Sequence, residues 1–262
     1  MDQRNLAARQ FGDVAANYLT SAVHATGADL DRLFALAQRR RPERALDLGC
    51  GAGHVSFALA RAGVPHVIAY DLSAPMLDVV QRESKVRGYA AIETKRGPAE
   101  QLAFDDDSFD LLATRFSAHH WSSVSAAIKE MARVLKPGGR LAVIDVTSPD
   151  APLLDTMLQT LEVLRDRSHV RNYRLKEWLS MLRASGLRDE ITDSWKLSIE
   201  FDSWVRRIGT PELRVQALRA VMDDLPAEAS DYFAVTAERS FKIDAAWIEV
   251  QKPVGGCLRG AS

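Results

Sequence analysis

The chain has 262 residues, 47% of them hydrophobic, so it is long enough to form one domain with a substantial core. Its formal net charge of −1 lacks the basic surplus that marks nucleic-acid-binding proteins, which argues against a nucleic-acid partner. Two cysteines exclude a disulfide framework, and the absence of an apolar run of about 18 residues argues against a membrane span, so we expect a cytoplasmic protein.

Helical patterns and short apolar runs alternate along the first part of the chain. Helices are predicted at 11–20, 28–40, 53–62, 75–87 and 122–135, and strands at 44–48, 66–71, 90–95, 109–114 and 139–147. Strands alternating with helices indicate βαβ units and a mostly parallel sheet. Ser73 is a candidate N-cap with Pro75 in the first helical turn, and the Lys136-Pro-Gly-Gly139 segment stops the helix before the fifth strand.

The pattern changes after Pro149. Helices are predicted at 152–166 and 175–185, a strand at 187–200, further helical sequence at 201–235 and a last strand at Ser240–Gln251. We therefore expect N-terminal helices at 1–42 and a main domain at 43–254, with a helical insertion at about 201–238. Residues 255–262 are predicted to be a disordered tail.

A glycine-rich turn follows the first predicted strand. Residues 45–53 read Ala-Leu-Asp-Leu-Gly-Cys-Gly-Ala-Gly, and Asp71 ends the next strand 18 residues after Gly53. Glycines allow the main chain to pass close to a ligand, and the helix N-terminus offers N–H groups to an anion. A carboxylate at the end of the second strand can accept both hydroxyls of a ribose. The pattern predicts a nucleoside-containing cofactor.

The spacing of the glycines distinguishes between cofactors. A dinucleotide fingerprint has Gly or Ala at the third position of G-x-G-x-x-G, where this chain has His54. That position serves tight packing around a pyrophosphate, which S-adenosylmethionine lacks. We therefore predict S-adenosylmethionine, with S-adenosylhomocysteine as its product.

Several motifs together resemble a known family. They are Leu46-Asp-Leu-Gly-Cys-Gly-Ala-Gly53, Asp71-Leu-Ser-Ala-Pro-Met-Leu77, Ala99-Glu-Gln-Leu-Ala-Phe104 with Asp107-Ser-Phe-Asp110, and Arg133-Val-Leu-Lys-Pro-Gly-Gly-Arg-Leu141. Over residues 43–147 the chain resembles the class I S-adenosylmethionine-dependent methyltransferases, most of all the small-molecule group that includes the quinone-biosynthesis C-methyltransferases. The resemblance implies an α/β, Rossmann-like fold: a seven-stranded, mostly parallel sheet with an antiparallel last strand, N-terminal lid helices and a helical insertion before that strand.

The resemblance also implies which residues bind the donor. Those for its methionine end follow the first and fourth strands: Asp47, Gly49, Gly51, Arg115 and Phe116. Those for its ribose and adenine follow the second and third strands: Asp71, Leu72, Met76, Ala99 and Glu100. Pro98 departs from the family pattern, in which an acidic or amide side chain often binds the adenine, so either Glu100 takes over this contact or the contact is lost.

The segment Arg115-Phe-Ser-Ala-His-His-Trp121 is the best candidate for catalysis. It follows the fourth strand, so it lies at the sheet edge where α/β folds build their sites. A histidine accepts protons near neutral pH, so His119 or His120 can act as a base, with a slight preference for His119. The alternative is that His119 orders the loop and His120 packs with Trp121.

Two further groups could border the reactants. On the lid helix, Tyr18 could contact the donor carboxylate or shape the acceptor pocket, Phe11 could pack over the sulfonium, and His24 is a further candidate. After the fifth strand, His169 or Arg171 could bind an anionic acceptor. The alternatives are ordinary helix packing for the first group and a polar connection for the second.

The expected activity is methyl transfer to carbon or oxygen of a small, aromatic or conjugated metabolite. Alternatives are a tRNA or other RNA methyltransferase, and a donor-binding protein without methyl transfer. No metal is expected, because the acidic run at 105–107 is typical of a solvated loop. The helical insertion can serve as a lid or as the surface of a homodimer.

Overall fold

The computed structural model describes residues 2–12, 19 and 26–254, and seven strands in this part of the chain form a single sheet. They are β1 (Arg44–Leu48), β2 (His66–Asp71), β3 (Ile92–Arg96), β4 (Phe109–Arg115), β5 (Leu135–Thr147), β6 (Arg188–Ile199) and β7 (Phe241–Gln251). Their order is β3-β2-β1-β4-β5-β7-β6, with parallel pairing from β3 to β5. β7 runs antiparallel to both of its neighbours. The predicted sheet and its antiparallel last strand are confirmed.

Helices cover the sheet and connect its strands. They are α1 (Gln3–Gly12), α2 (Ala28–Arg40), α3 (His54–Arg61), α4 (Ala74–Arg87), α5 (Val124–Val134), α6 (Pro152–Arg165), α7 (Leu175–Ala184), α8 (Phe201–Ile208), α9 (Glu212–Asp223) and α10 (Ala227–Phe233). A 3-10 turn, Ala118–His120, follows β4. Helices α8 to α10 stand between β6 and β7, where the helical insertion was predicted.

The alternation of side chains along the strands divides the core between the two faces of the sheet. In β1, Leu46 and Leu48 pack with α5 and α7, whereas Ala45 packs with α2 and α3 on the opposite face. A third apolar cluster joins α6 and the insertion helices through Trp204 and Phe233. The sheet is therefore covered on both faces, as parallel sheets generally are.

The start of α4 follows from its sequence. Ser73 is the N-cap, and its hydroxyl accepts a hydrogen bond from the Met76 N–H at 3.4 Å. Pro75 lies in the first turn, and Gly88 ends the helix with φ of 73°. The interpretation of Ser73 and Pro75 as a helix start is confirmed.

The first described helix, α1, begins before the predicted one. The sequence pattern predicts helix at 11–20, of which 13–18 and 20 lie outside the described residues, while α1 spans Gln3–Gly12, mostly in a segment where no helix is predicted. Its polar sequence carries little amphipathic signal, and tertiary contacts stabilise it, among them Phe11 packing on Met76 and Val79. Tyr18, His24 and the tail at 255–262 lie outside the described residues.

Strand β5 begins earlier than predicted. It starts at Leu135 rather than at 139, because Leu135 pairs with Phe109 before the register shifts to Leu111 and Arg140. Gly138, with φ of 81°, lies in the irregular stretch between the two registers. Helix α5 ends at Val134, before Pro137, as the segment predicts.

Candidate functional site

A cleft opens at the sheet edge where β1, β2 and β4 end. The chain leaves β1 towards β2 on one side, while β4 lies on the other, so the edge beside β1 is a topological switch point. The cleft is lined mainly by apolar surface with a few polar groups, as small-molecule sites generally are. Ten residues that the sequence assigns to the donor line it: Asp47, Gly49, Gly51, Asp71, Leu72, Met76, Ala99, Glu100, Arg115 and Phe116. Tyr18 lies outside the described residues.

The two glycines after β1 are required for different reasons. Both have positive φ, 69° at Gly49 and 49° at Gly51. A Cβ at Gly51 would meet no atom within 4 Å, so this position faces the open cleft. A Cβ at Gly49 would lie 1.8 Å from Ser117 Oγ, so this glycine allows the loop after β4 to approach. Only Gly51 leaves space for a ligand directly against the main chain.

Asp71 connects the end of β2 with the glycine turn. Its Oδ2 accepts from the Gly51 N–H at 2.9 Å, and its Oδ1 accepts from the Ser73 N–H at 2.8 Å. Burial raises the pKa of Asp71, and these hydrogen bonds oppose the rise. Each carboxylate oxygen can accept a further hydrogen bond, which suits the two hydroxyls of a ribose.

Asp47 is a buried acid at the bottom of the cleft. Its Oδ2 accepts from both the N–H and the hydroxyl of Ser56, at 2.9 and 2.6 Å. Burial raises the pKa of Asp47 to about 7. The side chain therefore ties β1 to the first turns of α3 and can change its charge near neutral pH.

Glu100 lines the cleft, and its carboxylate already accepts hydrogen bonds from other parts of the protein. The Glu100 carboxylate accepts from the Ser122 and Ser123 N–H groups at 2.8 and 3.3 Å, just before α5. It also pairs with Arg4 of α1 at 3.4 Å. The side chain of Glu100 thus connects the start of α5 with α1 at the cleft, and its contact with an adenine in place of Pro98 stays a prediction.

Arg115 and Phe116 form the end of β4. The Arg115 guanidinium forms an ion pair with Asp29 of α2 and lies 4.7 Å from the centroid of the Phe116 ring. Phe116 has φ of 48°, a conformation that costs a non-glycine residue about 1–2 kcal/mol. Such strain concentrates at functional sites, and here it accompanies a side chain at the cleft.

His119 lies behind the cleft rather than on its described lining. Its Nδ1 is 2.6 Å from Asp145 Oδ1, and Asp145 also accepts from the Ala118 and Val146 N–H groups at 3.0 and 2.8 Å. Burial by itself would lower the pKa of His119, but the Asp145 carboxylate outweighs burial and raises it. His119 and Asp145 form a buried ion pair when the histidine is protonated.

His120 is the histidine that lines the cleft. Its Nδ1 lies 3.2 Å from the Ser168 carbonyl oxygen, and its ring meets the edge of Phe11 with centroids 4.7 Å apart. Burial, followed by the positive charge of His119, lowers the pKa of His120 to about 4. At neutral pH this imidazole is uncharged.

The predicted acceptor residues after β5 do not line the cleft in the described part of the chain. His169 Nε2 lies 2.9 Å from Gln159 Oε1, and its ring centroid is 5.7 Å from that of His119. Arg171 pairs with Asp155 at 3.2 Å. These residues support the histidine turn from behind.

Sequence reasoning missed several residues that the structure brings to this region. Asp145 is the clearest, and its signal is an acid inside the apolar strand Leu141-Ala-Val-Ile-Asp-Val-Thr147. Arg4, Ala7 and Ala8 of α1 line the cleft, but their segment was predicted to precede the first helix. Ser117, which occupies the space beside Gly49, gave no sequence signal.

The acidic run at 105–107 makes ion pairs: Asp106 with Arg133 and Asp107 with Lys252. Across residues 2–12, 19 and 26–254, no group of three or more His, Cys, Asp or Glu residues could hold a metal ion. None of the helices in these ranges is long and apolar enough to cross a membrane.

Sequence comparisons agree with this geometry. The model of a methyltransferase domain family matches residues 46–143, which contain the glycine turn and Asp71. The uncharacterised protein YafE of Escherichia coli is 45% identical over 78% of this chain and 98% of its own length. A demethylmenaquinone methyltransferase of Clavibacter sepedonicus is 40% identical over 43% of this chain and 44% of its own length.

One relative is similar in both sequence and structure. The uncharacterised methyltransferase YcgJ of Bacillus subtilis is 37% identical over 95% of this chain and 94% of its own length. Its crystal structure superposes with a TM-score of 0.82, covering 87% of this chain and 99% of that one. The chain has the seven-stranded sheet and the glycine turn of such enzymes, and it is similar to these relatives over most of its length. It therefore belongs to the class I S-adenosylmethionine-dependent methyltransferases.

Proposed function

We propose that this enzyme methylates a small, aromatic or conjugated metabolite at carbon or oxygen. The observation that carries the proposal is a single cleft whose lining combines Asp71 and Gly51 with His120, Phe11 and Trp121.

The residues at the donor end fit S-adenosylmethionine. Asp71 offers two oriented acceptor oxygens for the ribose, Gly51 leaves open space, and Leu72 and Met76 provide apolar walls. When bound, S-adenosylmethionine supplies an electrophilic methyl carbon, whose bond to sulfur breaks and leaves its electron pair on sulfur. The protein's part in such a reaction is to align the acceptor with that carbon.

The acceptor end suits a flat apolar molecule with a polar group. Phe11 and Trp121 offer aromatic surfaces, and His120, whose uncharged imidazole meets the edge of Phe11, lines the same cleft. A demethylmenaquinone methyltransferase and a 2-phytyl-1,4-naphtoquinone methyltransferase, each of which matches 43% of this chain, favour quinol-like acceptors. The homodimer and the cytoplasmic location stay predictions.

Calorimetric titration with S-adenosylmethionine, S-adenosylhomocysteine and NADH tests the donor end first. Micromolar binding of the first two and none of NADH is expected. Turnover is then measured with a labelled methyl donor over a panel of quinols, naphthols and catechols, with a bulk tRNA fraction as a competing substrate. Methylation of tRNA alone would replace the proposal with RNA methylation. Donor binding with no product from any acceptor would favour a donor-binding protein.

A further inference from the structure

The adjacent histidines of the 3-10 turn have separate acidic neighbours. His119 Nδ1 contacts Asp145 at 2.6 Å, while His120 Nδ1 lies 3.9 Å from Asp166 Oδ2. The two rings are 4.2 Å apart between centroids, so the charge on one acts directly on the other. Only His120 reaches the described lining of the cleft.

The surroundings of His120 determine which ring nitrogen carries its proton. A carbonyl oxygen can only accept a hydrogen bond, so the contact with the Ser168 carbonyl places the hydrogen on Nδ1. Ser168 is itself fixed, because its N–H and its hydroxyl both donate to Asp166 Oδ1 at 2.7 Å. The neutral ring therefore keeps the lone pair on Nε2.

We infer, on the basis of the proposed methyl transfer, that His119 and Asp145 form a standing ion pair beside His120, and that the burial of His120 together with this ion pair keeps it neutral, so that His120 Nε2 takes the proton of a weakly acidic hydroxyl or enol. His120 is the catalytic residue in this arrangement. His119 and Asp145 are positioning residues, because they act through His120 and through the turn that carries it.

Charged groups from several elements face this pair. They are Asp145 from β5, Glu162 and Arg165 from α6, and Asp166 and His169 from the segment after α6. His169 is itself neutral, because burial lowers its pKa to about 2. Asp145 is the acid in direct hydrogen-bond contact with His119, so it favours the protonated form of His119 over that of His120 or His169.

The proton transfer defines the class of acceptor. The O–H bond of the acceptor breaks, its proton goes to His120 Nε2, and the electron pair stays on the acceptor oxygen as the nucleophile, or is delocalised to carbon in an enol or phenol. The imidazolium that this transfer forms on His120 can pair with the resulting anion in the cleft. An alkylamine is protonated at neutral pH and has no lone pair for the attack, so phenols, quinols and enols are the expected acceptors and alkylamines are not.

Nitrogen-15 NMR of the full chain, labelled at histidine, tests the assignment without an acceptor. At pH 7 we expect His119 to carry protons on both nitrogens and His120 to carry one on Nδ1 alone, in free protein and with S-adenosylhomocysteine. A neutral His119, or a His120 protonated on Nε2, would overturn the inference. Failure of S-adenosylhomocysteine to bind, with these protonation states intact, would instead count against the proposed function.

Variants test the coupling between the two rings. His119→Gln and Asp145→Asn each remove the positive charge beside His120, so the pKa of His120 should rise by about one unit or more. Asp145→Asn retains an oxygen that can accept from Ala118 N–H, so the turn keeps a hydrogen bond if the first variant folds poorly. Asp110→Asn, at an acid that pairs with Lys136 away from the cleft, is the matched control and should leave His120 unchanged. A His120 pKa that is the same in all four proteins would refute the standing ion pair.

The acceptor class has its own test. Wild-type enzyme is offered paired acceptors of similar shape, such as a naphthol and the corresponding aminomethyl-naphthalene. We expect the wild-type enzyme to methylate the hydroxyl compound. We expect His120→Gln to lower kcat for this compound at least tenfold and to change KM little. Preference for the amine would refute the proposed acceptor class while leaving the methyltransferase assignment in place.

Discussion

At the residue scale, Asp71 has a structural role and is the residue that we propose to bind the ribose of the donor. Its two oxygens hold the Gly51 and Ser73 N–H groups, and they still face the cleft. Charge-assisted hydrogen bonds of this kind are roughly twice as strong as neutral ones. Loss of the carboxylate should therefore affect donor affinity more than it affects folding.

Asp71→Ala should weaken binding of S-adenosylhomocysteine by about 2–3 kcal/mol, because the charge-assisted contacts to the ribose are lost. Calorimetry gives the dissociation constant directly. Asp78→Ala, on the exposed side of α4, is the matched control and should bind as wild type does. Equal affinity in the two variants would remove Asp71 from the donor site.

Gly51→Ala should impair donor binding much more than it impairs stability. The added Cβ points into the open cleft, where the donor is expected to lie. Gly63→Ala provides the control, because Gly63 also has positive φ, at 89°, and open space for an added Cβ, but does not line the cleft. Both variants should lose similar thermal stability, and only Gly51→Ala should lose affinity. A parallel loss of affinity in both would attribute the effect to backbone strain.

At the element scale, α1 covers the cleft and contacts the histidine turn. Gln3 Nε2 donates to the Ser168 carbonyl at 2.5 Å, the same carbonyl that His120 contacts. At the other end of α1, Gln10 Nε2 donates to the Ile208 carbonyl at 2.9 Å. Helix α1 thus connects the histidine turn with α8 of the helical insertion.

Phe11→Ala should raise the dissociation constant of S-adenosylhomocysteine by about fivefold to thirtyfold, because an aromatic wall of the cleft is lost. Stopped-flow fluorescence should show that most of the change is faster dissociation. The control is Phe34→Ala in α2, whose ring stacks with Arg61 away from the cleft. If dissociation is equally fast in wild type, α1 is not a lid for the donor.

Most elements could be predicted because their signals are local. The period of the apolar residues, the Ser73 cap and the glycines identified β1, β2, α2 and α4 nearly to the residue. The position of α1 could not be predicted, since its contacts with Met76, Glu100 and Ser168 all come from distant parts of the chain. A helix stabilised by tertiary packing carries little signal in its own sequence.

The candidate site was predictable in its donor half and only partly in its acceptor half. Gly51 and Asp71 follow two consecutive strands that the βαβ pattern predicts to be parallel. The sequence therefore predicts that the two residues lie close together at one edge of the sheet. The sequence could not distinguish His119 from His120, because adjacent residues in a tight turn point in different directions. That distinction depends on Asp145, which lies 26 positions after His119, in β5.

At the scale of the whole molecule, Asp47 makes stability depend on pH. The pKa of Asp47 is about 7 in the folded protein, against about 3.9 for an aspartate in an unfolded chain. The folded state therefore binds more protons between these values, and stability falls as pH rises from about 4 to about 7. Above pH 7 the protein carries the cost of a buried carboxylate.

Asp47→Asn should remove this cost. Relative to wild type, its free energy of unfolding should improve by roughly 2 kcal/mol between pH 5 and pH 8, because the amide oxygen can still accept from Ser56. Urea unfolding at the two pH values measures the difference. Asp78→Asn serves as the exposed control. An Asp47→Asn protein that tracks wild type at both pH values would show that Asp47 is already charged at pH 5.

The contact between Gly49 and Ser117 has a consequence for how this enzyme can diversify. Ser117 Oγ occupies the space of the missing Gly49 side chain and accepts a hydrogen bond from Trp121 Nε1 at 3.2 Å. Substitutions at Gly49 and Ser117 are therefore expected to be epistatic. Ala7 and Ala8 line the same cleft from α1, outside the sheet. A library intended to broaden substrate scope should randomise these two positions and leave the interlocked loops unchanged.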